Sequence, residues 1–509
     1  MTALSPSHAV AVIGAGTMGA GIVQVAATAG HDVYIFDTSG EAIDKGMAQI
    51  EKFLARSVDK GRIDEAERDA ILGRIKRCDK LEDLAPAKLV IEAIVENIDI
   101  KRSVFGQLED ILAEDAILAS NTSSISITEI AARLKRPERM VGMHFFNPAP
   151  IMKLVEIIHG LVTDKQVAEI AFATAEAWGK KVVHAKSTPG FIVNRVARPF
   201  YSEALRILQE GGADIPTIDS CIREAGGFRM GPFELMDLIG NDINFSVTKS
   251  VYEAYFQEPR YRPSLIQQEI VAAGRYGRKS GHGYYNYAEG AEKPAPHTAP
   301  PGPAPTEVTV FGENALISPL AGLAKEAGIT VNSDPEQDVP DYMPGFLVDN
   351  ILLLLSDGTT ATELASVMPY EVVTFDLALD YNAASRIAIA KGEQVSEESL
   401  AVAAGFFQAI GKQVSVIDDC PGLIVMRILA MLANEGSDAV YQGVTTAEGV
   451  DIAMVNGVNY PKGPLQWAED IGLTHIRDVL GNLQRFYGED RYRTSPLLRR
   501  ATFGTEKLI

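Results

Sequence analysis

Cysteine is nearly missing from this chain. There are three in 509 residues, Cys78, Cys221 and Cys420, far apart and in no CxxC or metal-like spacing. That sparse, odd count fits a reducing cytoplasm and no disulfide framework. Long apolar runs are missing too. Segments such as "NILLLLSDG" fall well short of the roughly 20 residues that span a bilayer. The N-terminus, "MTALSPSHAVAVIGAG", has no basic region and runs directly into a glycine-rich turn, so it does not read as a signal peptide. Positive charge is in deficit, with 47 Lys and Arg against 67 Asp and Glu and a net charge of −20. The deficit argues against a nucleic acid or an anionic membrane as partner, while leaving room for a local basic pocket. Apolar residues at 46% and charged residues at 22% are ordinary for a globular protein. The length suggests three or four domains.

The chain does carry a repeated phrase. "PGFIVNR" begins at Pro189 and "PGLIVMR" at Pro421, with Phe191 replaced by Leu423 and Asn194 by Met426. Gly179, Gly190, Gly231 and Gly240 match Gly411, Gly422, Gly463 and Gly472 at a constant offset of 232. Nearer the start of each copy, Gly14 and Gly30 match Gly312 and Gly328 at an offset of 298. Chance similarity between helical segments does not keep four glycines at one spacing, so the chain reads as an internal duplication.

Each copy has an α/β part and a helical part. "HAVAVIGAG", "TMGAGIVQVAATAG" and "HDVYIFDTS" read as strand, helix and strand, a parallel βαβ unit. Strand-like runs follow at "KLVIEAIV", "AILASNTS" and "RMVGMHFFN", giving a doubly wound sheet over 1–186. Helical patterns dominate 187–287. The stretch 288–306, rich in Pro and Ala, reads as a linker. The second copy then covers 307–417 and 418–509.

"GAGTMG" places Gly14, Gly16 and Gly19 in G-x-G-x-x-G spacing, after a strand and at the start of a helix. Gly14 permits the tight turn, Gly16 lets backbone approach a pyrophosphate, and Gly19 allows close helix–strand packing. The first helical residues, Thr17 and Met18, offer N–H groups to phosphate. Asp37, at the end of the next strand, accepts from a ribose diol and repels a 2′-phosphate, which favours NAD over NADP. A purely structural glycine turn is the plain alternative. The second copy has Gly312, Asn314 and Ile317 at these positions and reads as a fold without a nucleotide site.

"GMHFFNPAPIMKLVEII" holds His144, Asn147 and Glu156. A glutamate in an apolar run needs a partner. Pairing with His144 would satisfy both groups and would also orient a general base. Spacing alone leaves the structural and catalytic readings equally open. Lys52, Arg56 and Lys60 share one helix face at i, i+4 and i+8. The stripe suits CoA phosphates, or else is a solvated face paired with Glu51 and Asp59.

The phrases "GAGTMGAGI", "EAIVEN", "SNTSS", "HFFNP", "MKLVEII", "PGFIVNR", "GPFELMD" and "GHGYYNY" come in the same order in the L-3-hydroxyacyl-CoA dehydrogenases, which residues 8–287 resemble. The whole arrangement looks like the long bacterial form associated with phenylacetate catabolism. The resemblance implies α/β plus all-α: a Rossmann-type NAD domain, a helical domain, and a degenerate repeat of both. It implies NAD as cofactor, an acyl-CoA substrate and no metal. It places the catalytic pair on His144 and Glu156, and substrate contacts on Ser123 and Asn194. Cofactor contacts fall on Glu96, Lys101, Asn147 and Lys279, beside the glycines and Asp37. It also implies a homo-oligomer, with the second helical domain packed on the first as an intrachain pseudo-dimer. At the offset of 232, His144, Glu156 and Asn194 become Asp376, Ala388 and Met426, so one site per chain is expected. The rival readings are a dehydrogenase of small free hydroxy acids and a non-catalytic dehydrogenase-like protein.

Overall fold

In a computed structural model of the chain, the described residues are 2–312, 315–333, 343–504 and 507–508. They form two compact units, Met1–Arg195 with Gln442–Val458, and Val196–Tyr441 with Asn459–Ile509. The first thus takes in a short piece of the second copy.

The first unit is built on an eight-stranded sheet. Its strands are β1 (Ala9–Ile13), β2 (Val33–Phe36), β3 (Ile75–Cys78), β4 (Ala87–Glu92), β5 (Ile117–Ser120), β6 (Met140–Phe145), β7 (Leu154–His159) and β8 (Lys181–Lys186), in the order 3-2-1-4-5-6-7-8. Val10, Val12, Leu89 and Ile91 are completely buried, as expected of central parallel strands covered on both faces. The strands that the sequence pattern did not single out are β3, β7 and β8. β3 reads IKRC, an edge strand with two exposed polar residues and no apolar alternation. β7 runs antiparallel to β6, and β8 parallel to β7. Residues 146–153 are too few for the crossover that a parallel β7 would need.

In the second unit, β9 (Glu307–Phe311), β10 (Thr330–Ser333), β11 (Gly345–Val348), β12 (Ile351–Leu355), β13 (Glu371–Phe375), β14 (Arg386–Lys391) and β15 (Gln413–Val416) form a sheet in the order 10-9-11-12-13-14-15. β11 is antiparallel to both neighbours. The drop in offset from 298 to 232 explains this: the second copy lacks the residues for the first copy's crossovers, and a hairpin into β12 fills the gap. Ile317 is fully buried just before the helix Ser318–Glu326, while Asn314 lies outside the described residues.

The helix Arg198–Gln209 packs against Val425–Tyr441. In the first copy the matching path is broken between Val196 and Arg198, beside Pro199. Proline cannot donate within a helix and clashes with the preceding turn. Met431 stands at that position in the second copy, and the helix runs on unbroken. Contacts between the copies are reciprocal. The Tyr261 hydroxyl donates to Glu435 at 2.6 Å, and the Tyr492 hydroxyl to Glu203 at 2.9 Å. The two glutamates are 232 positions apart and the two tyrosines 231. The helix Ala447–Gly457 packs on β7 and β8 in the first unit, as Ile215–Glu224 packs on β14 in the second. The stretch 291–305 has no regular elements but is tied down. His297 N–H donates to Thr217 Oγ1, Ala299 N–H to Val414 O, and Gly302 N–H to Gln408 Oε1.

Candidate active site

At the end of β1, Gly14 adopts φ 101°, and a Cβ there would lie 2.5 Å from Ala93 O. A Cβ on Gly19 would lie 1.8 Å from Gly14 O, so the helix Thr17–Thr28 is pressed onto the turn. At Gly16 the reverse holds: a Cβ would meet nothing within 4 Å. The helix begins there with no side-chain cap, leaving the first-turn N–H groups, at Thr17 and Met18, free toward that open space. These residues fit a pyrophosphate. The Asp37 carboxylate accepts from Ala15 N–H at 2.8 Å and Ser39 N–H at 2.9 Å, which fixes it beside the turn.

A second cluster joins the ends of β4 and β5. Lys101 Nζ donates to Glu92 Oε1 at 2.6 Å, with both residues buried, and lies 3.3 Å from Glu96. Glu92 also accepts from Ser120 Oγ at 2.6 Å. Glu96 accepts from Thr122 Oγ1 at 3.0 Å and from Ser123 N–H at 2.8 Å. Glu96, Lys101 and Ser123 are therefore brought into one network. Its anchors, Glu92 and Ser120, were missed by sequence reasoning. The signal was present, since a carboxylate ends a buried strand in "EAIVEN".

His144 and Glu156 are cross-strand partners in β6 and β7. His144 Nδ1 lies 2.6 Å from Glu156 Oε2. Glu156 is wholly buried, and its Oε1 accepts from Ile192 N–H at 3.1 Å and Val193 N–H at 3.0 Å. Those two N–H groups open the short helix Val193–Val196, which carries the half-buried Asn194. One carboxylate thus sets the imidazole and the asparagine turn together. The loop between β6 and β7 holds the exposed Asn147. Lys180 ties this loop by donating to Ala149 O at 2.5 Å and Met152 O at 2.9 Å. Burial lowers the Lys180 pKa to about 8.

Not every expected residue joins these clusters. Lys52, Arg56 and Lys60 are exposed at the end of the helix Gly40–Asp59, whose buried side is Ile43, Gly46, Ile50 and Leu54. Lys279 belongs to the other unit, where it pairs with Asp242 at 2.6 Å.

The second copy shows what the repeated phrase does. Ala388 has replaced the glutamate, but Asp376, at the position of His144, reaches the same turn from the opposite strand. Its carboxylate accepts from Ile424, Val425 and Met426 N–H at 2.7–3.0 Å. The offset of 232 by itself shows only that the orienting carboxylate is lost from its own strand, at Ala388. The carboxylate has moved across the strand pair, the imidazole is gone, and the helix start is still held. Burial pushes the Asp376 carboxyl up to about 6, against the backbone donors that favour its charge.

The 3-hydroxyacyl-CoA dehydrogenase NAD binding domain matches residues 9–188, and the C-terminal domain of the same family matches 190–287 and 422–504. The chain belongs to the 3-hydroxyacyl-CoA dehydrogenase family. A 3-hydroxybutyryl-CoA dehydrogenase reduced Rossmann-fold domain matches residues 353–421, within the second sheet. The chain is 43% identical over 493 residues to the 3-hydroxyadipyl-CoA dehydrogenase of Escherichia coli K12, covering 96% of each. A crystal structure of 3-hydroxybutyryl-CoA dehydrogenase from the same species superposes with a TM-score of 0.89 at 41% identity, covering 98% of both chains. A probable 3-hydroxybutyryl-CoA dehydrogenase of Deinococcus radiodurans, 43% identical, is covered over 99% of its length by only 54% of this chain. The protein is an NAD-dependent 3-hydroxyacyl-CoA dehydrogenase with a duplicated body. Among the described residues no helix is long and apolar enough to cross a membrane, and no group of three His, Cys, Asp or Glu side chains is placed to hold a metal ion.

Proposed function

We propose that the chain oxidises the 3-hydroxyl of L-3-hydroxyadipyl-CoA or L-3-hydroxybutyryl-CoA at one site, in the first half, with His144 as general base. The buried His144–Glu156 pair carries this reading. An Nδ1–H donated to Glu156 leaves Nε2 free to accept the substrate's hydroxyl proton. Glu156 then balances the imidazolium, while its second oxygen stays fixed by Ile192 and Val193 N–H. Ser123 and Asn194 hold the substrate oxygens. When bound, NAD⁺ supplies the hydride acceptor. The glycine turn, Thr17, Met18 and Asp37 would hold its pyrophosphate and ribose, and Glu96, Lys101, Asn147 and Lys279 its nicotinamide side. Lys52, Arg56 and Lys60 meet the CoA phosphates.

We take the domains as 1–186, 187–287, 307–417 and 418–509, with 288–306 between the halves. The reciprocal Tyr–Glu contacts support an intrachain pseudo-dimer of the helical domains. The same proposal places the enzyme in the cytoplasm, where its three buried thiols stay reduced.

The test follows NADH absorbance after adding each CoA ester to purified protein and NAD⁺. His144→Ala is expected to abolish turnover, and Asp376→Ala to keep it per folded molecule. Absence of turnover with any CoA ester, despite NAD binding, would refute the acyl-CoA reading.

A further inference from the structure

The second unit holds a cavity of about 330 Å³ beside the break at Pro199. Arg198 lines it and is 5% exposed. Its Nη1 donates to Thr248 Oγ1 at 3.0 Å, and its guanidinium lies 5.0 Å over the Tyr201 ring. Its Nε is buried without a partner, and no carboxylate among the described residues pairs with the group. The other buried arginines of this unit are treated differently. Arg260 has Glu435 and Asp438, and Arg427 has Glu203 and Glu210. A buried cation without a counter-charge is far costlier than a paired one, and arginine cannot shed its proton. The two carboxylates bordering the cavity, Glu210 and Glu489, are already engaged by Arg427 and Arg491, while the exposed Arg262 adds a second cation at its edge.

The duplication provides an internal control. At the offset of 232, Arg198, Tyr201 and Thr248 become Ala430, Ala433 and Leu480, all fully buried. The second copy has no polar set at these positions. The first copy keeps an arginine, a tyrosine and a threonine around open volume, where apolar residues of ordinary size would pack.

We propose that this cavity is a carboxylate-binding site. Arg198 supplies the cation that receives the carboxylate, while Thr248 Oγ1 accepts from Nη1 and the Tyr201 ring lies under the guanidinium. The ligand is a free dicarboxylate, with Arg262 at the cavity edge for its second carboxylate.

The test is the shift in Tm of the full chain on adding adipate. Adipate is expected to raise Tm in the wild type, in part in Arg198→Lys, less in Thr248→Val and not at all in Arg198→Met. No adipate-dependent shift in the wild type, or a shift that survives Arg198→Met unchanged, overturns the proposal.

Discussion

Glu156 has two tasks, and its substitutions should separate them. It orients His144 and it also accepts from the N–H groups that start the asparagine turn. Glu156→Ala leaves buried donors without acceptors, an expected loss of about 3 kcal/mol in stability. Turnover should fall roughly 10²–10⁴-fold, the usual contribution of an effective general base. Glu156→Gln keeps an acceptor for the turn, so it should recover much of the stability and little of kcat; urea melts beside steady-state kinetics read both. Asp376 isolates the structural task. Its folded pKa, pushed up to about 6 by burial, lies above the ordinary value of 3.8. Between those values the folded state holds a proton that the unfolded state has lost. Wild-type stability should therefore fall, relative to Asp376→Asn, as pH rises from about 4 to about 6, by on the order of 3 kcal/mol, and stay level above that. Melting temperatures of both proteins across that range show the trend; a gap that does not change with pH refutes it. At this scale the glycine turn was legible because its spacing is local. The move of a carboxylate from one strand to its neighbour was not, because a linear offset cannot show that two adjacent strands reach the same N–H groups.

Elements from the second copy support the first copy's site. The helix Ala447–Gly457 packs on β7, the strand that carries Glu156. A Cβ at Gly457 would lie 2.7 Å from Leu154 Cδ2 and 3.0 Å from Val193 Cγ2, with Phe146 3.7 Å away. The Phe146 ring is 4.5 Å from that of His144. Gly457→Leu should therefore cost about 1–3 kcal/mol through overpacking and lower kcat by displacing Phe146. The two effects are read by thermal melts and by turnover per folded molecule, and an unchanged melting point would show that the helix gives way freely. Sequence reading found the strands whose apolar runs are continuous, β1, β2, β4, β5 and β6. It missed β3, whose polar residues face solvent at the sheet edge, β7, which was read only as an apolar run, and β8. It also read the proline-rich stretch as a plain linker. Extended backbone that pairs singly with Val414, Thr217 and Gln408 has no periodicity to reveal it.

At the scale of the molecule, relatives about half as long match the first copy alone, which suggests how that copy would behave by itself. In the full chain, Tyr261 reaches Glu435 and Tyr492 reaches Glu203. Two copies of residues 1–287 can make both contacts as Tyr261 to Glu203 of the other molecule, an isologous interface. The helix Ile215–Glu224 would likewise take the place of Ala447–Gly457 on the partner's β7. The fragment should therefore be a dimer by sedimentation velocity, and Glu203→Ala should shift it toward monomer. The match is imperfect in one respect. Arg260 lies between Glu435 and Asp438, but the position equivalent to Asp438 in the first copy is Arg206. Each Arg260 in the fragment dimer would face one carboxylate and one guanidinium instead of two carboxylates. Arg206→Asp should accordingly tighten the fragment dimer by about tenfold or more, as expected when a buried like-charge contact becomes an ion pair. A fragment that remains monomeric with that substitution would mean that the reciprocal contacts depend on the covalent link between the halves rather than on the surfaces themselves.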